Sequence, residues 1–378
     1  MENKQILICP DSFKGTLTAE EVADTIEKAI KDVSPAANTR VLPIADGGEG
    51  TLDALLAALG GERISETVTS PTGDMVSAQM ARLSNGAYLI EMAQCCGLPL
   101  VKPENRNPLY LTSYGLGEML ARALNRGAEE IYVGIGGSAT NDGGMGLLSA
   151  LGAVFTAAGG RRLDGIGMEL KQVEDIDLSN LHPGLARAHI TVISDVTNPL
   201  LGKDGATCVY GPQKGADAET LRRLEAGMTH YADRFYDLFG LDIASFPGAG
   251  AAGGCGAALA GVLRADLRRG IDTVLDLCGF DALVPGCSLV VTGEGRVDGQ
   301  TAKYGKVPAG VLARCGDVPC AVLTGCVGPE AERLLAMGNC MIFPIADRPM
   351  TLEYAMEHAE ALAASAADRL FWALGAFR

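Results

Sequence analysis

The sequence is poor in the residues that mark several function classes. It holds one Trp, Trp372, and only 5% aromatic residues in all, so no stacking platform for single-stranded nucleic acid is apparent. Cations are outnumbered: 31 Lys and Arg face 46 Asp and Glu, a net charge of −15, and that field repels a phosphate backbone. The four His (His182, His189, His230, His358) are dispersed, and the eleven Cys include no C-x-x-C pair. Structural zinc is therefore not expected. No Walker A loop, G-x-x-x-x-G-K-[ST], occurs anywhere. The opening run MENKQILICPDSF is too weakly apolar for a signal peptide, and scattered thiols in odd number read as reduced, so a cytoplasmic location is expected. The one long uncharged stretch, Ile243 to Leu263, contains Pro247 and repeated Gly. Tight packing or a ligand loop explains it better than a membrane span.

What is present points to an α/β enzyme. A chain of 378 residues, 48% of them hydrophobic, has room for two ordinary domains. Gln5 to Cys9 reads as a strand, Pro10 to Thr16 as a loop, and a helix follows from Ala19, with Thr18 and Glu21 at capping-box spacing. A second strand is expected over Arg40 to Ala45, then the loop Asp46 to Gly50 and a helix over Thr51 to Leu59. Strands alternating with helices argue for a parallel sheet covered on both faces. From about Glu66 the pattern changes to strands separated by Pro71-Thr72-Gly73-Asp74 and Ser84-Asn85-Gly86, which is hairpin chemistry. Parallel-sheet texture returns at Ser288 to Thr292, Cys320 to Thr324 and Met341 to Ile345, and one long Ala-rich helix is expected over Thr351 to Leu374. The expected organisation is a doubly wound, Rossmann-like domain from residues 1–65 and 286–378, with a second α/β domain, 66–285, inserted.

In open parallel sheets ligands collect at the carboxyl ends of strands, and several loops there carry acids. Asp46 (ADGGEGT), Asp195 (SDVTNPL), and Glu294 and Asp298 (TGEGRVD) stand at or after strand ends. Magnesium binds through one or two carboxylates plus substrate phosphates, so acids on separate strand ends suit a kinase. The plainer reading of any one Asp is a helix or turn cap. Lys14 and Arg296 are the cations within these loops. A Lys offers a compact charge to a phosphoryl group, and an Arg clamps a carboxylate. Lys214 and Lys306 rank second, with a solvated surface Lys the plainer reading of each. The loop Gly136-Gly137-Ser138-Ala139-Thr140-Asn141-Asp142-Gly143-Gly144 follows a strand and opens a helix, offering N–H groups and a positive helix end to a phosphate. It fits a loose dinucleotide fingerprint, but the acid expected some twenty residues on is missing, which argues against a dehydrogenase. The Gly-rich run Pro247 to Gly256 reads equally as a phosphate loop or as packing.

Taken together, PDSFKGTLTAEEVA, ADGGEGT, GIGGSATNDGG, DVTNPL, YGPQKGA, PGAGAAGG and TGEGRVDGQT resemble the bacterial glycerate kinase family, in the family's order and across nearly the whole chain. The resemblance implies ATP-dependent, magnesium-assisted phosphorylation of D-glycerate, with the active site in the cleft between two domains. The product it implies is 2-phosphoglycerate, formed in sugar-acid or glyoxylate breakdown. A 3-kinase, a kinase of another short hydroxy acid and a non-catalytic sensor are the alternatives, and the motifs alone leave the regiochemistry open. Expected roles are Asp195, Lys14 and Asp46 in catalysis, and Ser12, Arg296 and Asn198 on the substrate. Gly136, Gly137, Ser138, Asn141, Asp142, Gly143 and Gly144 are expected on the nucleotide, and Asp46, Asp195, Asp298 and Glu294 on Mg2+. No nucleic-acid or membrane partner is expected, and a homo-oligomer is compatible with the sequence.

Overall fold

The computed structural model describes residues 5–375. Two compact units emerge, one from residues 1–46, 53–60 and 269–378, the other from residues 47–52 and 61–268. Where patterning divides the chain at 66 and 286, packing divides it at 61 and 269. The strand Gly61–Thr69 pairs along its whole length with Met75–Leu83 in the second unit, and the helix Gly270–Leu277 packs against the first unit's helix Val307–Arg314.

The first unit is built on five parallel strands: Gln5–Ile8, Thr39–Val41, Cys287–Val297, Cys320–Val327 and Cys340–Pro344. Numbered in chain order within the unit, they lie 2-1-3-4-5, the doubly wound order whose ligand crevice opens between strands 1 and 3. The helix Ala19–Val33 starts with the expected capping box, Thr18 and Glu21 satisfying each other's exposed donors. Its Val22, Ile26 and Ile30 lie in one core with Ile6, Ile8, Val291, Leu323, Ala363, Ala367 and Leu370. The closing helix differs from expectation. It breaks at His358 into Leu352–Glu357 and Ala359–Gly375, His358 itself leaving helical geometry at φ −112° and ψ 19°.

The six strands of the second unit's main sheet lie in sequence order. Gly61–Thr69, Met75–Leu83 and Tyr88–Glu91 form the two expected antiparallel hairpins. Glu130–Gly134, His189–Ile193 and Asp266–Arg268 continue the sheet in parallel. The 22-residue helix Ala218–Phe239 is capped by Asp217 at its start and by Gly240, at φ 66°, at its end. Among the described residues no helix is long and apolar enough to cross a membrane.

Candidate active site

In the first unit, parallel pairing itself assembles a cluster of acids. Past the end of the first strand the chain stays bonded to its neighbour, Cys9 N–H donating to Val291 O and Asp11 N–H to Gly293 O, the latter at 2.8 Å. On the other side Leu42 N–H donates to Ile8 O and Ile44 N–H to Pro10 O. The second strand formally ends at Val41, because Pro10 has no N–H to give to Leu42 O, yet the pairing carries on to Ile44. Asp11, Asp46 and Glu294 are thus delivered by three adjacent strands to the switch point of the sheet.

Their electrostatics follow from burial. Asp11 is 5% exposed, and desolvation together with the neighbouring Asp46 pushes its carboxyl up to about 7, against smaller opposing effects of Lys14 and the Ser12 N–H. Its Oδ1 accepts from Ser12 N at 2.7 Å and from Ser12 Oγ at 3.3 Å. Burial likewise raises the Glu294 carboxyl, partly offset by the Thr301 hydroxyl at 2.5 Å and by Lys306 and Lys14. Lys14 reaches Asp46 Oδ2 at 3.7 Å while its side chain stays 68% exposed. Its ammonium loses some basicity to desolvation, but Asp46, Asp11 and Glu294 outweigh that and raise it. The result is one exposed cation held over three clustered acids. Asp11 was missed as a site residue in the sequence. The only signal was its place two residues beyond the expected strand end at Cys9, which a turn-forming Asp shares.

Two candidates in this unit have other work. Asp298 is the cap of the helix Gly299–Tyr304, accepting from Gln300 N at 2.9 Å, and its other oxygen accepts from Arg296 Nε at 3.1 Å. The plainer reading of that acid, a helix cap, is realised. Arg296, 62% exposed, keeps the rest of its guanidinium toward solvent.

The Gly-rich loop of the second unit divides sharply. Gly136 and Gly137 are exposed, whereas every residue from Ser138 to Leu148 is buried. Asp142 is fully buried and accepts from Ser113 N and Ser113 Oγ, both at 2.7 Å, and from Gly144 N and Gly146 N. The place at the helix start where a phosphate was expected is therefore filled by the protein's own carboxylate. Burial raises the Asp142 pKa while those four bonds pull it down. Gly143 and Gly144 are left-handed, at φ 64° and 72°, and side chains there would strike Tyr231 and Ala258. Asn141 Nδ2 donates to Thr207 Oγ1. Asn141, Asp142, Gly143 and Gly144 thus lie turned into the interior, while Gly136 and Gly137, with the edge residue Ser138 beside them, form the exposed end of the loop. Pro247 to Gly256 resolves as packing, since side chains at Gly253 and Gly254 would meet the backbone of Thr140 and Gly143.

Lys214 also overturns its plainer reading. It is 1% exposed, and its ammonium donates to Ser138 Oγ at 2.8 Å and to Thr140 O at 2.7 Å. Asp195 lies exposed just after the strand His189–Ile193. Asn198, expected on the substrate, spends Nδ2 on Asp204 O at 2.8 Å and Oδ1 on the Tyr210 hydroxyl at 2.7 Å. That side chain braces its own loop. Among the described residues no group of three or more His, Cys, Asp or Glu is arranged to hold a metal ion by itself. The first unit's mutually repelling acids suit a cation that brings phosphate and water as its other ligands.

Comparison with known proteins extends this. A model described as the glycerate kinase family matches residues 6–374. The chain is 43% identical over 368 residues to a glycerate kinase of Halalkalibacterium halodurans, covering 97% of each. It is 46% identical over 308 residues to the glycerate 2-kinase of Escherichia coli, covering 81% of each. A glycerate kinase 2 crystal structure from Salmonella typhimurium LT2 superposes with a TM-score of 0.86 at 40% identity, covering 99% of both chains.

Proposed function

The chain belongs to the glycerate kinase family and is a kinase acting on an alcohol group; from that premise we propose that it phosphorylates D-glycerate on the 2-hydroxyl, with ATP as donor and Mg2+ as its companion. The observation that carries the reading is the cluster of Lys14 with Asp11, Asp46 and Glu294 at the switch point of the first unit's sheet. Clustered acids repel one another until a cation arrives, and a lone flexible ammonium suits a phosphoryl group in flight.

In this proposal Asp46 and Glu294 hold the magnesium, which supplies positive charge to the nucleotide phosphates when bound. Lys14 steadies the transferred group, and Arg296 and Ser12 orient the glycerate. Gly136, Gly137 and Ser138 are the proposed contacts to the anionic part of the nucleotide. The substrate oxygen forms a bond to the terminal phosphorus as the bond from that phosphorus to the bridging oxygen breaks, ADP leaving with the electron pair. The hydroxyl proton passes to a carboxylate. Asp195 is the first proposal for that acceptor. A specific observation favours Asp11 as a second: a carboxyl poised at about 7 is matched to proton transfer at neutral pH. Substituting the acceptor with Asn is expected to cut kcat by at least ~10²-fold, so kinetics of Asp195→Asn and Asp11→Asn choose between them.

The decisive test of the whole reading is phosphoenolpyruvate formation from D-glycerate and MgATP with enolase as the only coupling enzyme. Signal that needs both proteins supports the 2-phosphate. Signal that appears only after phosphoglycerate mutase is added means the 3-phosphate. No signal in either case, from folded protein, rejects glycerate as the substrate.

A further inference from the structure

Behind the exposed Gly136-Gly137 turn stands a buried cation whose partners are all on that same loop. Lys214 comes from the short 3-10 turn Pro212–Lys214, which Gly215 closes at φ 93°. A side chain on Gly215 would collide with the backbone of Arg106, so only glycine lets the turn seat so deeply. Burying an ammonium is costly unless its donors are used, and this one meets only Ser138 Oγ and Thr140 O. Desolvation lowers its pKa to about 8, with Asp142 among the groups opposing the loss, so the charge is retained at neutral pH.

The consequence lies in the direction of the hydrogen bonds. An ammonium only donates, so Ser138 Oγ accepts, and its single hydrogen must go elsewhere. The chain provides no acceptor for it among the described residues, although Ser138 is only 9% exposed. Thr140 Oγ1 and Asn141 Oδ1, further along the segment, are buried with no partner at all. Unsatisfied polar atoms at this density are uncommon in a finished interior. The backbone of the segment is held from its inner side, Leu98 N–H donating to Gly137 O and Ala139 N–H to Cys96 O. Among the described residues no backbone acceptor is bonded to the N–H groups of Gly136, Gly137 and Ser138.

We infer that Lys214 is a positioning residue for anion recognition: from behind, it holds Ser138 so that the Ser138 hydroxyl and the N–H groups of Gly136 to Ser138 converge on the oxygens of a phosphate or carboxylate. The ammonium never touches the ligand. It orients the hydroxyl, and its charge acts on the anion through that one oxygen. The inference rests on the proposal that this segment meets an anionic substrate, and it adds what makes the segment competent.

The test is steady-state kinetics of the full chain, varying ATP and D-glycerate separately, for Lys214→Met, Ser138→Ala and the double variant. Loss of one charge-assisted contact predicts a KM raised about tenfold or more for one substrate, with kcat and the other KM nearly unchanged. An ATP effect identifies the anion as phosphate, and a glycerate effect as carboxylate. The double variant is expected to be no worse than Lys214→Met alone, because both remove one relay. Lys214→Ala supplied with propylammonium should recover the lost KM, which a purely structural lysine would not do. If Ser138→Ala raises a KM while Lys214→Met leaves both unchanged, the segment binds substrate and the role given to Lys214 is wrong. If Ser138→Ala alters neither KM, the segment is not a ligand contact. That result overturns the inference however the Lys214 variants fold, while the assignment of the reaction to the first unit's cluster stands.

Discussion

Two buried aspartates of this chain carry opposite consequences. Asp11 has few bonds to its charged form and two acidic neighbours, so its folded-state pKa lies near 7 against an ordinary 3.8. A carboxyl raised on folding stabilises the fold while protonated. That contribution is full below about pH 4 and is lost as pH rises through 7. Asp11→Asn is therefore expected to raise stability at pH 8 by about 2 kcal/mol or more, with little gain at pH 4, while activity falls. Thermal melts across that range check it, and a pH-independent gain would contradict it. Asp142, whose carboxyl burial also raises, differs in its bonding, with four donors converging on one buried carboxylate. Asp142→Asn turns an NH2 group toward those donors and is expected to cost about 2–4 kcal/mol, read by urea unfolding. The KM for ATP of the folded fraction should not change, since the residue faces the interior.

At the scale of elements, what was legible was what local chemistry decides. The Thr18/Glu21 capping box and the two hairpins fall where spacing and turn residues place them. The parallel sheet was legible too, although the strand at Cys287 runs on to Val297, well past the apolar run, because the strand Cys320–Val327 stays paired with it to its end. What was not legible was which polar residues the fold would bury. Ser-Ala-Thr-Asn-Asp-Gly-Gly looks like a ligand loop in composition, and only tertiary packing turns its second half inward. Asp11 and Asp46 look alike as acids after strands, yet only Asp11 is buried, beside a strand whose Gly293 lies nearly three hundred positions away. Glycines along such loops should respond accordingly. Gly144→Ala must both leave φ 72° and displace Ala258, so a loss of more than ~2 kcal/mol or failure to fold is expected. Gly50→Ala, at φ 90° with open space around it, should cost only about 1 kcal/mol. Chemical denaturation of the two variants side by side tests this contrast.

For the whole molecule, eleven thiols raise the question of oxidation, and their burial answers it. Eight are buried, Cys208 and Cys340 are half-buried, and Cys326 is exposed. Burial raises the pKa of Cys9, Cys255 and Cys278, among others, and it is the thiolate that reacts. A native-state titration with an aromatic disulfide reagent should show one fast site, lost in Cys326→Ser, with the eight buried thiols reacting only on unfolding. Several fast sites would mean that the interior opens far more readily than its packing implies.

The strand Gln5–Ile8 sits between two neighbours, one of which is made from the last third of the chain; Thr292 Oγ1 bonds to Cys9 O across 283 residues. Loop closure over such a span is slow. On a ribosome, residues 61–268 are made before Cys287 is added, whereas the first strand must wait for it. Synthesis thus imposes an order, with the second unit condensing first and the first unit closing around residues that emerged at the very start. Nascent chains halted near residue 280 should accordingly yield a protease-resistant core that begins near Gly61, with the apolar segment at Gln5 to Cys9 still open to cleavage and to chaperones.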